Sequence, residues 1–304
     1  MTTRELVVLG TAAQVPTRDR SHHGALLRWD GEGLLFDPGE GTQRQLTLAG
    51  VPATSITRIF ITHLHGDHCL GLPGVLQRLA LDDVGHGVHL YFPASGQEFI
   101  DRLRTASAHH RAPEVHEHPV EEDGMVAHVD GAFDVHARAL DHRIDAYGWR
   151  LQEPDGRRML PERLRERGIV GADIGRLQRE GRVRGPASWV GLDEVSEPRP
   201  GQSFAFVMDT RRCDAAVELE RGADLVVSES TYLETEADLA ASYRHLTAAQ
   251  AATIAAEAGA RRLVLTHFSQ RHADTSVFAD EARQFFADVH AARDLDRVPV
   301  PARG

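Results

Sequence analysis

His63-Leu64-His65-Gly66-Asp67-His68 places three imidazoles and a carboxylate within six residues, directly after the apolar run Ile56 to Thr62 (ITRIFIT). The run has the β-branched, aromatic-containing makeup of a strand, and Gly66 offers turn freedom to swing several side chains toward one point. The expectation is a metal site at a strand end. Neutral imidazole and carboxylate suit zinc, with manganese or iron able to take the same set, and an open coordination position yields hydroxide near neutral pH. With 18 histidines in 304 residues a His-rich surface loop is the alternative, but HxHxDH following a strand favours metal.

Further ligands are then expected at the ends of other strands on the same rim. The alternating run Phe133, Val135, Ala137, Ala139 leads into Asp141-His142, the run Phe204 to Met208 ends at Asp209-Thr210, and Leu263 to Thr266 stops at His267. Strands broken by a His or Asp are hard to explain as packing, because a buried ionisable group without a partner is costly. The candidate ligand set is His63, His65, Asp67, His68, His142, Asp209 and His267. Asp209 is the natural bridge between two ions, since a carboxylate has two oxygens and an imidazole holds one ion.

These segments resemble the ribonuclease Z family, the tRNA 3′-processing endonucleases of the metallo-β-lactamase superfamily. The likeness runs from Leu9-Gly10-Thr11 through Phe36-Asp37-Pro38-Gly39-Glu40-Gly41-Thr42-Gln43-Arg44-Gln45, the HLHGDH segment, Leu140-Asp141-His142 with Tyr147-Gly148-Trp149-Arg150, Met208-Asp209-Thr210 and Thr266-His267-Phe268-Ser269-Gln270-Arg271. HxHxDH alone marks only the superfamily, which also hydrolyses lactams, thioesters and lactones; the other segments narrow it. The resemblance implies an α/β fold, a four-layer αβ/βα sandwich with an inserted flexible arm, spanning 1–304 as one domain. It further implies two Zn2+ per subunit (Mn2+ or another divalent ion being an alternative), a precursor tRNA substrate and a homodimer.

The arm is expected over 150–187. Between Arg150 and Arg184 ten arginines face six acids, a local excess of four positive charges on a chain of net charge −11. Arg163, Arg165, Arg167, Arg176 and Arg179 are the candidate RNA-binding residues, because sequence-independent phosphate contacts need charge and reach more than a motif. A solvated linker whose arginines pair with its own acids is the alternative. All 34 basic residues are arginine, a compositional habit from which no function is drawn.

His245 is the catalytic candidate outside the ligand set. It precedes a clear helix start, where Thr247 and Gln250 have capping-box spacing and Gly259 is the expected stop. A helix N-terminus attracts phosphate and disfavours imidazolium in the free protein, so a bound phosphate would restore the proton and make His245 a general acid. In Ser228-Glu229-Ser230-Thr231-Tyr232 the resemblance supplies Glu229 as the residue orienting His245, with Ser228 standing where relatives often carry His. Asp67 is expected to take or orient the proton of the attacking water. The function implied is two-metal hydrolysis of the phosphodiester that joins a 3′ trailer to tRNA, leaving a tRNA 3′-hydroxyl; the alternatives are a phosphodiesterase of small substrates or RNA ends, a lactonase or thioesterase, and an RNA-binding protein that no longer cleaves.

Composition fits a cytoplasmic enzyme that binds neither membrane nor DNA. No stretch approaches the apolar length of a membrane span and MTTRELVVLG lacks a signal pattern. Cys69 and Cys213 are far apart with no pairing pattern, as in a reducing compartment. His109, His110, His116 and His118 are expected in a polar surface loop and not in a second metal site. Helices are expected at about 71–80, 96–106, 213–221, 247–258 and 275–288, and Val298-Pro299-Val300-Pro301 reads as a loose tail.

Overall fold

The computed structural model describes residues 4–108, 113–129 and 131–303; the expectation for His109 and His110 lies outside them. In chain order the first strands are β1 (Arg4–Gly10), β2 (Gly24–Trp29), β3 (Glu32–Phe36), β4 (Arg58–Phe60), β5 (Val88–Pro93), β6 (Val115–Val120), β7 (Gly124–Val129), β8 (Phe133–Ala139) and β9 (Tyr147–Gln152). Four short strands follow, β10 (Gly156–Met159), β11 (Arg182–Arg184), β12 (Trp189–Gly191) and β13 (Ser196–Arg199). The last are β14 (Ser203–Val207), β15 (Leu225–Glu229), β16 (Leu263–Thr266), β17 (Val289–Ala291) and β18 (Arg297–Pro299).

The described residues within 4–152 and 203–302 form one compact unit and Glu153–Gln202 a second. The larger unit holds two seven-stranded sheets, ordered β18-β1-β2-β3-β4-β5-β6 and β17-β16-β15-β14-β9-β8-β7. In the first sheet β3 to β6 run parallel; in the second β14 to β17 do. Alternation decides what each face buries. Phe36, Phe60, Trp149, Phe204 and Phe206 fill the layer between the sheets. On the opposite face of the first sheet, Leu35, Ile59 and Leu90 meet helices Thr42–Leu48 and Leu72–Leu81. The second sheet turns Ala205, Val226 and Leu265 toward helices Asp214–Glu220, Ala248–Ala258 and Ser276–Ala282. The result is the expected four-layer αβ/βα sandwich, in which both parallel sets deliver their C-terminal strand ends to a rim, the usual place for a site in such sheets.

Three local expectations fail. The tail is a strand: Leu6 pairs with Val298 in an antiparallel ladder, and Val298 and Val300 are buried. The last helix stops at Ala282 and not near 288, because the chain turns through Arg283–Asp288 into β17, which pairs with β16. His116 and His118 lie on β6, paired in parallel with β5, and not in a loop.

The smaller unit holds the ladders β10–β13 and β11–β12 and helices Pro161–Glu166 and Ala172–Glu180. Leu164, Ile169, Leu177, Val183, Val190 and Val195 make a core of its own. The insertion expected over 150–187 falls within a folded unit over Glu153–Gln202, its ends joined where the Glu153 amide donates to the Gln202 carbonyl (2.9 Å).

Candidate active site

Backbone strain marks the rim. Asp37 and His267, directly after β3 and β16, and Asp209, two residues after the end of β14, have φ of 44°, 62° and 45°. Non-glycine residues pay for the left-handed region, and such positions gather at functional sites. Gly66 does not: its φ is ordinary, it opens the short helix Gly66–Cys69, and a Cβ there would meet Leu70 Cδ1 at 2.8 Å. The HLHGDH side chains converge through a helical turn and not through a glycine swivel.

All seven candidate ligands are brought together. One ligand atom each from His63, His65, His142 and Asp209 lie within 4.8 Å of one another, as do those of Asp67, His68 and His267, and of Asp209, His245 and His267. Asp209 belongs to two of these groups. Its Oδ2 lies 3.4 Å from His63 Nε2 and its Oδ1 3.4 Å from His68 Nε2 and 3.3 Å from His267 Nε2. The Oδ1 atom is buried and accepts no hydrogen bond among the described residues, the arrangement of a carboxylate aimed at a cation. Burial holds His63 well below the usual imidazole range and also depresses His65 and His142, favouring the neutral form that ligates. The donor set of imidazoles and carboxylates fits divalent metal.

Asp37 is the residue sequence reasoning passed over. Its carboxylate is fully buried, accepts from the Thr62 amide and hydroxyl (both 2.7 Å), and lies 2.8 Å from His68 Nδ1. A partner on the second ring nitrogen fixes tautomer and orientation, leaving Nε2 for the rim. The signal was present, since the run Leu34-Leu35-Phe36 is broken by Asp37 as the other strands are broken by their ligands. Asp67 accepts the Gln14 amide at 2.7 Å and lies 3.4 Å from His267 Nε2. Burial raises its pKa, but His68 and the hydrogen bond from His267 outweigh that and keep it ionised.

His245 has the capped helix behind it: Thr247 Oγ1 accepts from the Gln250 amide at 3.1 Å, the Thr247 amide donates to Gln250 Oε1 at 3.1 Å, and Gly259 ends the helix at φ 66°. The expected loss of basicity is reversed. Burial does lower the His245 pKa, yet the Glu229 carboxylate, with Oε1 3.0 Å from Nδ1, and Asp209 push it up to about 9. Glu229 is fully buried and also accepts from the Thr210 amide (2.8 Å) and the Thr231 hydroxyl (2.7 Å); the latter lies 2.9 Å from His267 Nδ1. One carboxylate thus positions His245 directly and His267 through Thr231. Ser228 falls on the other face of β15, and its hydroxyl donates to the Glu229 carbonyl (3.1 Å).

A cavity of about 320 Å³ opens above the rim, lined by His65, Asp67, Asp209, His245, Tyr243 and Arg271 among others. The candidate arginines of the smaller unit are all exposed. Arg167 pairs with Glu194 at 2.8 Å and Arg176 with Asp173 and Glu180 at 3.3 and 3.5 Å.

Two stacked αβ layers closing on a His/Asp rim define a protein of metallo-β-lactamase fold. A family model described as Beta-lactamase superfamily domain matches residues 175–268, and one described as Anti-Pycsar protein Apyc1 matches residues 4–147. Ribonuclease Z of Nocardia farcinica is 56% identical over 304 residues, covering 100% of both chains, and that of Chlamydia pneumoniae is 46% identical over 99% of this chain and 98% of its own. The crystal structure of human tRNase Z, short form, superposes with a TM-score of 0.71 at 28% identity, covering 98% of this chain and 100% of that one. The chain belongs to the ribonuclease Z family.

Proposed function

We propose that this chain is a tRNA 3′-processing endoribonuclease that cuts the phosphodiester between a precursor tRNA and its 3′ trailer, leaving a 3′-hydroxyl on the tRNA. The observation that carries the chemistry is the position of Asp209, whose Oδ2 lies beside His63 and whose Oδ1 lies beside His68 and His267, with an ionised Asp67 and a protonated His245 facing one cavity. His63, His65, His142 and Asp209 would hold one zinc ion, and Asp67, His68, His267 and Asp209 a second. Bound there, the pair supplies Lewis-acid neutralisation of the phosphoryl charge and acidifies water. Asp67, fixed by the Gln14 amide, orients the attacking water and takes its proton. His245, kept protonated by Glu229, donates from Nε2 to the leaving oxygen. Exposed arginines of the Glu153–Gln202 body hold phosphates without reading sequence.

Family membership supports a homodimer, and two free cysteines support a reducing cytoplasm. Among the described residues no helix is long and apolar enough to cross a membrane. The test is incubation of the zinc-loaded protein with a precursor tRNA carrying a 3′ trailer, with product ends mapped and Asp67→Ala as control. A single cut after the discriminator base, absent in the variant, supports the reading. Intact precursor beside rapid hydrolysis of a small aryl phosphodiester would move the assignment to a small-substrate phosphodiesterase.

A further inference from the structure

Three histidines away from the rim meet on the first sheet. His116 and His118 are two residues apart on β6, so their side chains leave the same face, and His116 is in register with His89 of β5, as His118 is with Tyr91. Their rings gather around His89: its centroid is 5.0 Å from that of His116 and 5.1 Å from that of His118, and Tyr91 stacks on His118 at 4.5 Å. His89 Nδ1 lies 2.9 Å from His118 Nε2. That spacing resembles those among the rim imidazoles, where His63 Nε2 is 2.9 Å from His65 Nδ1 and His68 Nε2 3.2 Å from His267 Nε2. Two nitrogens bound tetrahedrally at ~2.1 Å from one ion stand only about half an ångström farther apart than this pair.

The cluster is separate from the catalytic rim. His89 is in register with Arg58, about five residues before His63, or ~16 Å at the rise of a strand. β6 ends its sheet, and the His116 side chain is 46% exposed, so an ion can reach the cluster from solvent. His116 Nε2 lies 3.4 Å from Glu114 Oε1, with its ring centroid 5.0 Å from that of His89. Burial, with smaller contributions from Arg58 and the neighbouring imidazoles, depresses His89 and His118.

The geometry points to a second cation site formed by His89, His116 and His118 on β5 and β6, selective for imidazole-preferring divalent ions such as Zn2+ or Ni2+ over Mg2+ and Ca2+. An ion held there ties β6, which has one hydrogen-bonded neighbour among the described strands, to β5. Ligands on adjacent strands convert binding free energy into resistance to fraying of that edge.

The test is metal content per chain after equilibration of the holoenzyme at one low-micromolar free zinc concentration, for wild type, His116→Ala and His118→Ala. The expected result is one zinc ion fewer in each variant, with precursor-tRNA cleavage unchanged and a zinc-dependent rise in Tm present only in the wild type. His116 is exposed, so its variant folds even where His118→Ala does not, and its metal count decides the matter alone. Equal metal content in wild type and His116→Ala, or an equal zinc-dependent shift in Tm, overturns the site. Both readouts stand whether or not the protein cleaves tRNA.

Discussion

Glu229 Oε1 lies 3.0 Å from His245 Nδ1, inside a site where the same carboxylate also takes the Thr210 amide and the Thr231 hydroxyl. The contact fixes which nitrogen of His245 is spoken for and leaves Nε2 to face the cavity. His245→Ala should lower turnover by roughly 10²- to 10⁴-fold, as for loss of a general acid, with bound metal near wild type. Single-turnover cleavage and metal analysis measure both; wild-type turnover in the variant would sink the assignment. Glu229→Gln, which leaves the imidazole in place without its charged partner, should fall between the two.

Asp37 acts on His68 and not on substrate. Asp37→Asn should therefore weaken metal affinity by about 10- to 100-fold, the usual effect of losing a carboxylate behind a ligating imidazole. Competition with a chromophoric chelator reads this directly. Unchanged affinity would mean that Thr62 alone holds the strand end.

In the smaller body, charge and pairing separate the arginines. Arg163 and Arg165 are exposed and form no ion pair among the described residues, whereas Arg176 is engaged by Asp173 and Glu180. Replacing Arg163 or Arg165 with Ala should weaken precursor binding and reduce the salt slope by about 1 each, with Arg176→Ala weaker in effect. Excision of 153–202 with a short linker from Gln152 to Ser203 should abolish precursor cleavage and spare a small aryl phosphodiester. Parallel loss of both activities would assign the body a structural role.

Glu220 carries a stability prediction. It is fully buried, neither carboxyl oxygen has a hydrogen-bond partner among the described residues, and burial pushes its pKa well above the usual carboxyl range. The folded protein therefore binds this proton more tightly than the unfolded chain does, so the stabilising contribution is full in acid and lost as pH rises. Glu220→Gln removes the titration. Its Tm relative to wild type should climb steadily from pH 5 to pH 8; a difference independent of pH would show that the carboxyl finds a charged partner in solution.

Legibility followed the kind of signal each segment carries. Strands that end in a candidate ligand were readable because an apolar run broken by His or Asp has no packing explanation, and the capped helix at Thr247 because capping is local. β6 was misread because Val115-His116-Glu117-His118-Pro119-Val120 lacks apolar alternation and becomes a strand only through its ladder with β5. The pairing of Val298 with Leu6 joins opposite ends of the chain. The arm's core is spread over six apolar residues between charged ones, too sparse to announce itself.

The sequence by itself determined the inventory: three imidazoles and a carboxylate after one strand, single ligands after three others, a capped helix behind His245, and an arginine-rich insertion. Those are properties of residue type and spacing, which need no partner to be expressed. Tertiary structure alone decided that Asp37 stands behind His68, that Glu229 raises the basicity of His245 against the pull of burial, and that His89 meets His116 and His118. Each depends on which strands lie side by side and on the low polarity of the space they enclose, and electrostatic terms at 3 Å in such a space exceed any local preference the chain encodes.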